Sequence, residues 1–218
     1  MNLNQMNRRG FLKASALAGG GLMLELSLPT SVLGQEFGTL VGSKELNVYV
    51  QIASDGKITI YSANPEMGQG IKTSLPMIIA EEMGAKWEDV VVLQAPINAS
   101  KYGLQGAGGS TSIPRNFDMM RQMGASAREM LIGAASESME VERQDLMARE
   151  STVVHTSGQS LTFGELAALA VRQPIPDPAT LSYKDPRAYT IIGTSIGGVD
   201  NLVIVTGQSE FGIDVDLD

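Results

Sequence analysis

The sequence predicts an α+β fold of two layers, with a strand–strand–helix–strand–helix core and a small mixed sheet. Two observations predict it. Along the chain, the apolar residues change between the two-residue period of strands and the longer period of helices in that order. Two glycine-rich segments, residues 64–70 and 95–114, each lead directly into a helical segment, so we expect both loops on one side of the sheet.

The first half of the chain supplies the core elements. Residues 46–53 and 57–61 alternate as strands do, and an Asp-Gly pair between them favours a hairpin turn. Residues 71–83 follow a helical period, although Pro76 favours a helix that starts later, because proline is tolerated mainly in the first turn. Residues 90–93 form an apolar run typical of a buried strand.

The second half continues with a long helix, a group of short strands and a proline-rich segment. Residues 115–139 predict the long helix, whose apolar face is rich in methionine. The remaining elements are predicted as strands at residues 147–150, 152–155 and 160–162, a helix at 163–172, a loop at 174–186, and strands at 189–192, 202–205 and 210–215. The acidic pairs Glu81-Glu82 and Glu88-Asp89 are interpreted as solvated faces and helix-start charge.

The composition excludes several classes of site and partner. The 218 residues include no cysteine, which excludes a disulfide framework, a cysteine nucleophile and a thiolate-bound iron–sulfur cluster in this chain. The single histidine, His155, excludes a metal site built from several histidines. Its place in a predicted strand far from both loops favours a surface or packing role. A net charge of −8 argues against nucleic-acid binding, which depends on lysines and arginines that neutralise phosphates.

Residues 1–34 are predicted to be an export signal rather than part of the fold. Arg8-Arg9 precede a weakly apolar run over residues 14–28, a pattern typical of a twin-arginine signal. Three glycines and Glu25 interrupt the run, so we expect no stable membrane span. The alternative is a buried N-terminal helix, for which the glycines are poor residues. The twin-arginine route predicts a periplasmic location, and because it carries folded proteins it favours a protein with an inserted cofactor.

The first glycine-rich loop carries Met67, Gly68, Gln69 and Gly70. Glycines on both sides of one glutamine let the backbone approach a ligand closely, and the glutamine amide offers donors and an acceptor. Taken alone, the same pattern is also that of a tight turn. The loop therefore leaves a binding role and a purely structural role open.

The second loop carries Gly108, Gly109, Ser110 and Thr111 just before the long helix. Exposed loop amides and helix N-termini form anion sites, whereas a serine or threonine at a helix start is also an ordinary cap. Neither loop has the Walker lysine after its glycines, and neither has the spaced glycines of the dinucleotide-binding fingerprint. Two common phosphate-binding motifs are therefore excluded.

The two loops in their order resemble a known family. Two strands, the Glu-Met-Gly-Gln-Gly loop, a helix, a strand and the Gly-Gly-Ser-Thr-Ser loop resemble the molybdenum-cofactor-binding region of the xanthine dehydrogenase/aldehyde oxidase family, and more narrowly the large subunit of the isoquinoline 1-oxidoreductase type. The resemblance implies a molybdopterin-binding domain, in its first portion, at residues 35–173. It also implies a proline-rich connector and the start of a truncated hammerhead-like domain at residues 174–218.

The resemblance also implies a cofactor, a partner and a substrate class. The cofactor would be molybdopterin cytosine dinucleotide, with the eight loop residues named above in contact with it and no protein ligand to the molybdenum, which the dithiolene sulfurs hold. A small [2Fe-2S] subunit would accept the electrons. The substrate would be an aldehyde or an N-heterocycle, oxidised with oxygen derived from water.

The sequence departs from the family at the catalytic base. The glutamate of a Gly-Glu-Pro-like motif, which serves as that base, has no counterpart here, and Glu66 does not take its role by position. We therefore expect no catalytic residue in this chain and no turnover by it alone. It would be a truncated large subunit, or a split one that pairs with a separate chain carrying the rest. The alternative is a non-catalytic exported binding or assembly module.

Overall fold

A computed structural model gives the fold of residues 44–215; the predicted export signal lies outside these described residues. The fold is α+β, as predicted. Its strands are β1 (Lys44–Asn47), β2 (Val50–Ile52), β3 (Ile58–Ser62), β4 (Val90–Gln94), β5 (Leu146–Arg149), β6 (Thr152–His155) and β7 (Ser160–Thr162). Its helices are α1 (Ile71–Met83), α2 (Ala99–Tyr102), α3 (Ser112–Met139), α4 (Phe163–Ala170) and α5 (Asn201–Val205). Within residues 44–215, no helix has both the length and the apolar run that a bilayer crossing requires.

The four-stranded sheet is mixed, and its one parallel pair positions the two glycine-rich loops. The strand order is β1-β2-β3-β4, with antiparallel pairing of β1–β2 and β2–β3 and parallel pairing of β3–β4. Parallel strands end at the same edge of a sheet. The segments that follow β3 and β4 therefore start side by side, as we expected.

The single strand predicted at residues 46–53 is wrong, because the chain reverses within it. The side-chain Oδ1 of Asn47 accepts the N–H groups of Tyr49 at 2.9 Å and Val50 at 3.1 Å, which closes a tight turn between β1 and β2. An asparagine that bonds the backbone two residues on mimics a backbone turn. In the sequence, Asn47 occupies a polar position of an alternating strand, so the alternation conceals the turn.

Helix α1 starts where the periodicity places it, so the later start that we expected from Pro76 is wrong. The helix runs from Ile71 with Pro76 inside it and buried, at the loss of one backbone hydrogen bond to Lys72. The burial of side chains on nearly all sides of the helix offsets the loss of this hydrogen bond. The helix ends at Gly84, whose φ is +76° and where an added Cβ would lie 2.6 Å from the carbonyl oxygen of Ala148.

Helix α3 lies along α1, and the two form the layer that covers the sheet. It starts three residues earlier than predicted, at Ser112, and ends at Met139 as predicted. At Gly124 the two backbones approach so closely that a Cβ would lie 2.4 Å from the carbonyl oxygen of Ile79 and 2.8 Å from Cβ of Glu82. A side chain at this position is therefore excluded in the observed packing.

The second sheet and α4 form where the sequence predicts them. Strands β5, β6 and β7 make an antiparallel sheet in that order. Helix α4 begins with a capping box, in which Thr162 and Glu165 exchange hydrogen bonds with each other's backbone N–H. Helix α4 then packs against α3 and β1, which joins the second sheet to the first layer.

Three strands predicted near the C-terminus are wrong. Residues 174–200, which we name the C-terminal strap, run in extended form with short 3-10 turns, and residues 189–192 form no strand. Residues 202–205 belong to α5, and residues 210–215 form turns and irregular structure. The alternating apolar residues favour strands, but a strand forms only beside another edge, and none of the described strands lies beside them.

The interpretation of Glu81-Glu82 as a solvated face is also wrong. Both side chains are fully buried in α1. One oxygen of Glu81 accepts the N–H groups of Thr190, Ile191 and Ile192 at 2.6–3.1 Å, and the other accepts Nζ of Lys184 at 2.8 Å. This explains why the strand predicted at residues 189–192 does not form: the N–H groups of residues 190–192 bond to a carboxylate instead of a neighbouring strand.

Glu82 ties α1 to α3 as well as to the strap. Its carboxylate accepts Nε of Arg121 at 2.6 Å, Nη1 of Arg128 at 3.4 Å and the backbone N–H of Lys184 at 3.0 Å. For Glu81, burial alone would raise the pKa, but the Lys184 ammonium and the strap N–H groups outweigh it and hold the pKa below its ordinary value. The Glu81 carboxylate is therefore buried in its charged form, and the Glu82 carboxylate beside it accepts hydrogen bonds from α3 and from the strap.

Replacing Glu81 by glutamine should lower the free energy of unfolding by about 3 kcal/mol, because it leaves the Lys184 ammonium without its buried partner. Urea denaturation of the Glu81→Gln variant measures this loss. The matched control is Glu88→Gln, an exposed position just after α1, where the change should stay within about 0.5 kcal/mol. Equal losses in the two variants would contradict a structural role for the Glu81 carboxylate.

The lowered pKa of Glu81 also gives the sign of a pH effect. Its ionised form stabilises the fold fully above the ordinary glutamate pKa, and this contribution is lost as the pH falls through the lower pKa of the folded state. The stability difference between the wild type and Glu81→Gln should stay constant from neutral to mildly acidic pH and shrink in stronger acid. Urea midpoints across that range check this, and a difference that grows with acid would refute it.

The Gly124→Ala substitution should destabilise the fold by about 2 kcal/mol, because the new methyl group must push α1 and α3 apart. Thermal and urea unfolding measure the effect. The control is Gly212→Ala, where a Cβ meets no atom within 4 Å and the backbone is unstrained. A Gly124→Ala variant as stable as this control would show that the helix crossing is looser than described.

Candidate functional site

The two glycine-rich loops lie together at one edge of the mixed sheet. Loop 1 (residues 63–70) follows β3, and loop 2 (residues 95–111) follows β4. The buried side chain of Asn64 donates from Nδ2 to the carbonyl of Gly106 at 2.7 Å, and Nε2 of Gln105 donates to the carbonyl of Ala63 at 3.3 Å. These two bonds hold the loops to each other.

Loop 1 has a conformation that requires its glycines. Gly68 and Gly70 have φ values of +96° and +80°, a region that residues with side chains rarely adopt. Between them the side chain of Gln69 folds back, accepting the N–H of Met67 at 2.8 Å and donating to the carbonyl of Pro65 at 3.0 Å. Gln69 and Met67 are nevertheless exposed, so both remain accessible to a ligand.

Glu66 organises this loop and is a residue whose role sequence reasoning missed. Its carboxylate accepts the backbone N–H groups of Gly68 at 2.7 Å, Gly70 at 3.1 Å and Lys72 at 2.9 Å. Partial burial raises the pKa of Glu66, but these N–H groups outweigh it and hold the pKa below its ordinary value. A carboxylate two positions before the first of two glycines is the signal in the sequence that could have indicated this turn.

Loop 2 ends in a strained turn that leads into α3. Gly109 and Ser110 have consecutive positive φ values of +60° and +54°, and only the first is a glycine. The hydroxyl of Thr111 donates back to the carbonyl of Gly108 at 2.9 Å. Thr111 therefore does not cap the helix. The ordinary capping role, which the sequence left open for this residue, is wrong.

The start of α3 consequently keeps free donors. No described group accepts the N–H groups of Ser112 and Ile113, and Pro114 has none. An uncapped helix N-terminus carries a partial positive charge of about half an elementary charge. The long helix α3 thus presents donors and positive potential where loop 2 ends.

An open depression of about 380 Å³ lies beside this helix start. Its lining residues are Leu104, Gly106, Ala107, Gly108, Gly109, Thr111 and Arg115. Arg115 is exposed and forms no ion pair with another described residue. Arg115 also lies in the first turn of α3, where the helix dipole disfavours a cation. A basic residue at a predicted helix start is the signal in the sequence that could have indicated this site. Ser110 and the loop 1 residues do not line the depression.

Two other places among the described residues are weaker candidates for a binding site. A cavity of about 700 Å³ lies between α3, β5 and the C-terminal strap, but its cations, the buried Arg128 and the half-buried Lys184, already bind the carboxylates of α1. His155 is on β6 with Nδ1 2.7 Å from Oγ of the neighbouring Ser157, away from both loops. Among residues 44–215, no three histidine, cysteine or acidic residues are grouped to hold a metal ion.

Comparisons with known proteins agree on one kind of domain. A family model for a molybdopterin cofactor-binding domain matches residues 24–203. The chain is 31% identical over 222 residues to a membrane-bound aldehyde dehydrogenase (pyrroloquinoline-quinone) of Gluconacetobacter polyoxogenes, with 98% of this chain and 28% of the relative covered. It is 31% identical over 209 residues to isoquinoline 1-oxidoreductase subunit beta of Brevundimonas diminuta, with 78% and 27% covered.

The chain is also similar to a solved structure. Quinoline 2-oxidoreductase from Pseudomonas putida 86 matches with a TM-score of 0.45 and 26% identity, over 59% of this chain and 17% of the other. The chain therefore spans less than a third of the length of the curated relatives it matches.

The Asn64→Ala substitution should loosen the two loops from each other, because it removes the bond from Asn64 to the Gly106 carbonyl. We expect a loss of about 1 kcal/mol in the free energy of unfolding and faster amide hydrogen exchange in loop 2. The control is Asn201→Ala, an exposed position whose side chain forms no hydrogen bond with the described residues. Unchanged exchange in loop 2 would show that Asn64 does not couple the loops.

Proposed function

The chain belongs to the molybdopterin cofactor-binding domain family, and from this premise we propose that loops 1 and 2 together hold the molybdenum cofactor. The chain would be the N-terminal cofactor-binding portion of a molybdenum hydroxylase. The names of its relatives support this proposal, since they act on an aldehyde, isoquinoline and quinoline. An aldehyde or an N-heterocycle is accordingly the substrate class that we propose.

One observation carries the assignment to these two loops. The parallel pairing of β3 and β4 places both at one sheet edge. There α3 begins with uncapped N–H groups beside Arg115, which has no ion-pair partner among residues 44–215. The cofactor is rich in hydrogen-bond acceptors and carries phosphate groups. Backbone donors, an arginine and a helix N-terminus are the groups that bind phosphate in proteins. The residues present therefore fit the cofactor.

The proposed roles of the individual residues follow from their geometry. Gly108, Gly109 and Thr111 line the depression and leave the backbone open to close approach, while Arg115 supplies the positive charge for a phosphate. Ser110 holds the strained turn that exposes the start of α3. The neighbouring wall would be formed by Met67, Gly68, Gln69 and Gly70. The donor and acceptor positions of the Gln69 side-chain amide that loop 1 does not use would be available to the pterin.

When bound at the two loops, the cofactor would supply the redox chemistry by which the substrate carbon is oxidised with oxygen from water. The cytosine dinucleotide form is our proposal from the resemblance of the two loops. We also propose that a small [2Fe-2S] subunit accepts the electrons and that the protein is exported to the periplasm by the twin-arginine route. That one relative is named as a subunit supports a partner chain.

We propose that this chain does not turn over alone, because its sequence has no Gly-Glu-Pro-like segment to provide the base. That same observation favours a second candidate, a non-catalytic exported binding or assembly module. Sequencing the DNA downstream of codon 218 distinguishes these two candidates. A continuing reading frame with a Gly-Glu-Pro-like motif supports a large subunit, and a separate start codon before such a motif supports a split one. Absence of that motif downstream supports the module.

Purified 218-residue protein, produced in a host that makes the cytosine dinucleotide cofactor, should contain molybdenum and molybdopterin. Replacing Arg115 by methionine should reduce the molybdenum content about ten-fold, because a charge-assisted bond to phosphate is lost. Its melting temperature should stay equal or rise, since the cation opposes the α3 dipole. Metal analysis and thermal unfolding measure both.

The control is Arg187→Met, which makes the same charge change at an exposed position on the C-terminal strap and should keep the full molybdenum content. Equal loss in both variants would remove Arg115 from the site. Because one relative is named for pyrroloquinoline quinone, the same preparation should be analysed for that quinone. Quinone without molybdopterin would overturn the proposed cofactor.

A further inference from the structure

The carboxylate of Glu66 occupies the place where loop 1 would otherwise bind an anion. The N–H groups of Gly68, Gly70 and Lys72 converge at the start of α1, at 2.7, 3.1 and 2.9 Å from the two oxygens of Glu66. Convergent backbone N–H groups at a helix start are the usual phosphate site of a glycine-rich loop. Here the protein fills that site with its own charge.

Loop 2 differs in this respect, although both loops precede a helix at the same sheet edge. At α3 the hydroxyl of Thr111 is turned back to Gly108, and no described carboxylate accepts the N–H groups of Ser112 and Ile113. The start of α1 is thus closed to anions, whereas the start of α3 is open.

Lys72 does not cancel the charge of Glu66. Its ammonium binds both carboxylate oxygens of Asp200 on the strap, at 2.7 and 2.8 Å, while its backbone N–H donates to Glu66. Backbone donors and the α1 dipole therefore hold the Glu66 charge without a cation partner in the described chain. A second anion at this place would meet uncompensated negative charge.

The groups that loop 1 still offers are mostly acceptors. The N–H of Met67 bonds to the side chain of Gln69, whereas the N–H groups of Glu66 and Gln69 have no described acceptor. The carbonyls of Met67, Gly68 and Gln69 have no described donor. A ligand group that faces loop 1 must accordingly bring N–H donors, as the amino and ring N–H groups of a pterin do.

We propose that Glu66 is a positioning residue, an internal anion that fixes the Met67–Gly70 turn and closes it to phosphate. Loop 1 then receives the neutral, donor-bearing part of the ligand and leaves the phosphates to loop 2. The assignment of the ligand rests on the proposed function. The internal anion itself is a property of the protein without ligand, so it can be tested separately.

The first test is amide hydrogen exchange of the ¹⁵N-labelled 218-residue chain without cofactor. In the Glu66→Gln variant, exchange at Gly68, Gly70 and Lys72 should be at least about ten-fold faster than in the wild type, because hydrogen bonds to a charged acceptor are lost. Exchange in the core strand β3 should not change. The control variant Glu88→Gln should match the wild type at all these amides. Unchanged exchange in Glu66→Gln would overturn the proposal.

The second test needs no variant and uses inorganic pyrophosphate as the probe. When it is titrated into the wild type, the amide resonances of Gly68 and Gly70 should not shift. Shifts at these two amides would show that an external anion enters loop 1, and would overturn the proposal. In Glu66→Gln the site is vacated, so pyrophosphate should now shift them.

The two tests separate this inference from the proposed function. If Gly68 and Gly70 behave as expected but the protein takes up no molybdopterin, the proposed function fails and the internal anion stands. If molybdopterin is taken up equally by the wild type and by Glu66→Gln, and the exchange rates are also equal, the proposed function stands and Glu66 has no positioning role.

Discussion

Two adjacent buried carboxylates hold α1 in place, and both glycine-rich loops depend on where that helix lies. Glu81 and Glu82 have no access to water, so the fold must supply every donor that their charges require. Those donors come from α3, through Arg121 and Arg128, and from the C-terminal strap, through Lys184 and residues 190–192. Because α1 begins at loop 1, this network at its C-terminal end also fixes the position of the loop.

The helix dipole explains why the two ends of α1 use different partners for their carboxylates. At the start of α1 the dipole favours negative charge, and backbone N–H groups alone suffice for Glu66. Near its end the dipole opposes negative charge, so Glu81 and Glu82 require the full charges of Lys184, Arg121 and Arg128. The ion pairs of Glu81 and Glu82 thus lie at the other end of α1 from loop 1. At the loop end the ammonium of Lys72 is held by Asp200 and does not pair with Glu66.

Sequence reasoning predicted the features that depend on local pattern and failed where distant partners decide. The order of the core elements and the meeting of the two loops follow from periodicity and turn chemistry. The Asn47 turn was concealed because its polar residue also suits an alternating strand. The burial of Glu81 was not predictable, since its donors are more than a hundred residues away. For the same reason residues 189–192, which bond to that carboxylate, could not be recognised as irregular.

Several features of loop 2 raise the free energy of the folded protein, which favours a role for a ligand in stabilising this loop. In loop 1 the N–H groups of Met67, Gly68 and Gly70 are bonded within the chain. Loop 2 combines a serine at positive φ, two N–H groups with no described acceptor and an arginine that opposes the helix dipole. Each feature raises the free energy of the protein alone, and an anion beside Ser112 and Arg115 would relieve the last two at once. Proteins keep such local conflicts mainly at functional sites. The described residues thus contain one loop whose N–H groups are mostly bonded within the chain and one that keeps donors and a cation available to a ligand.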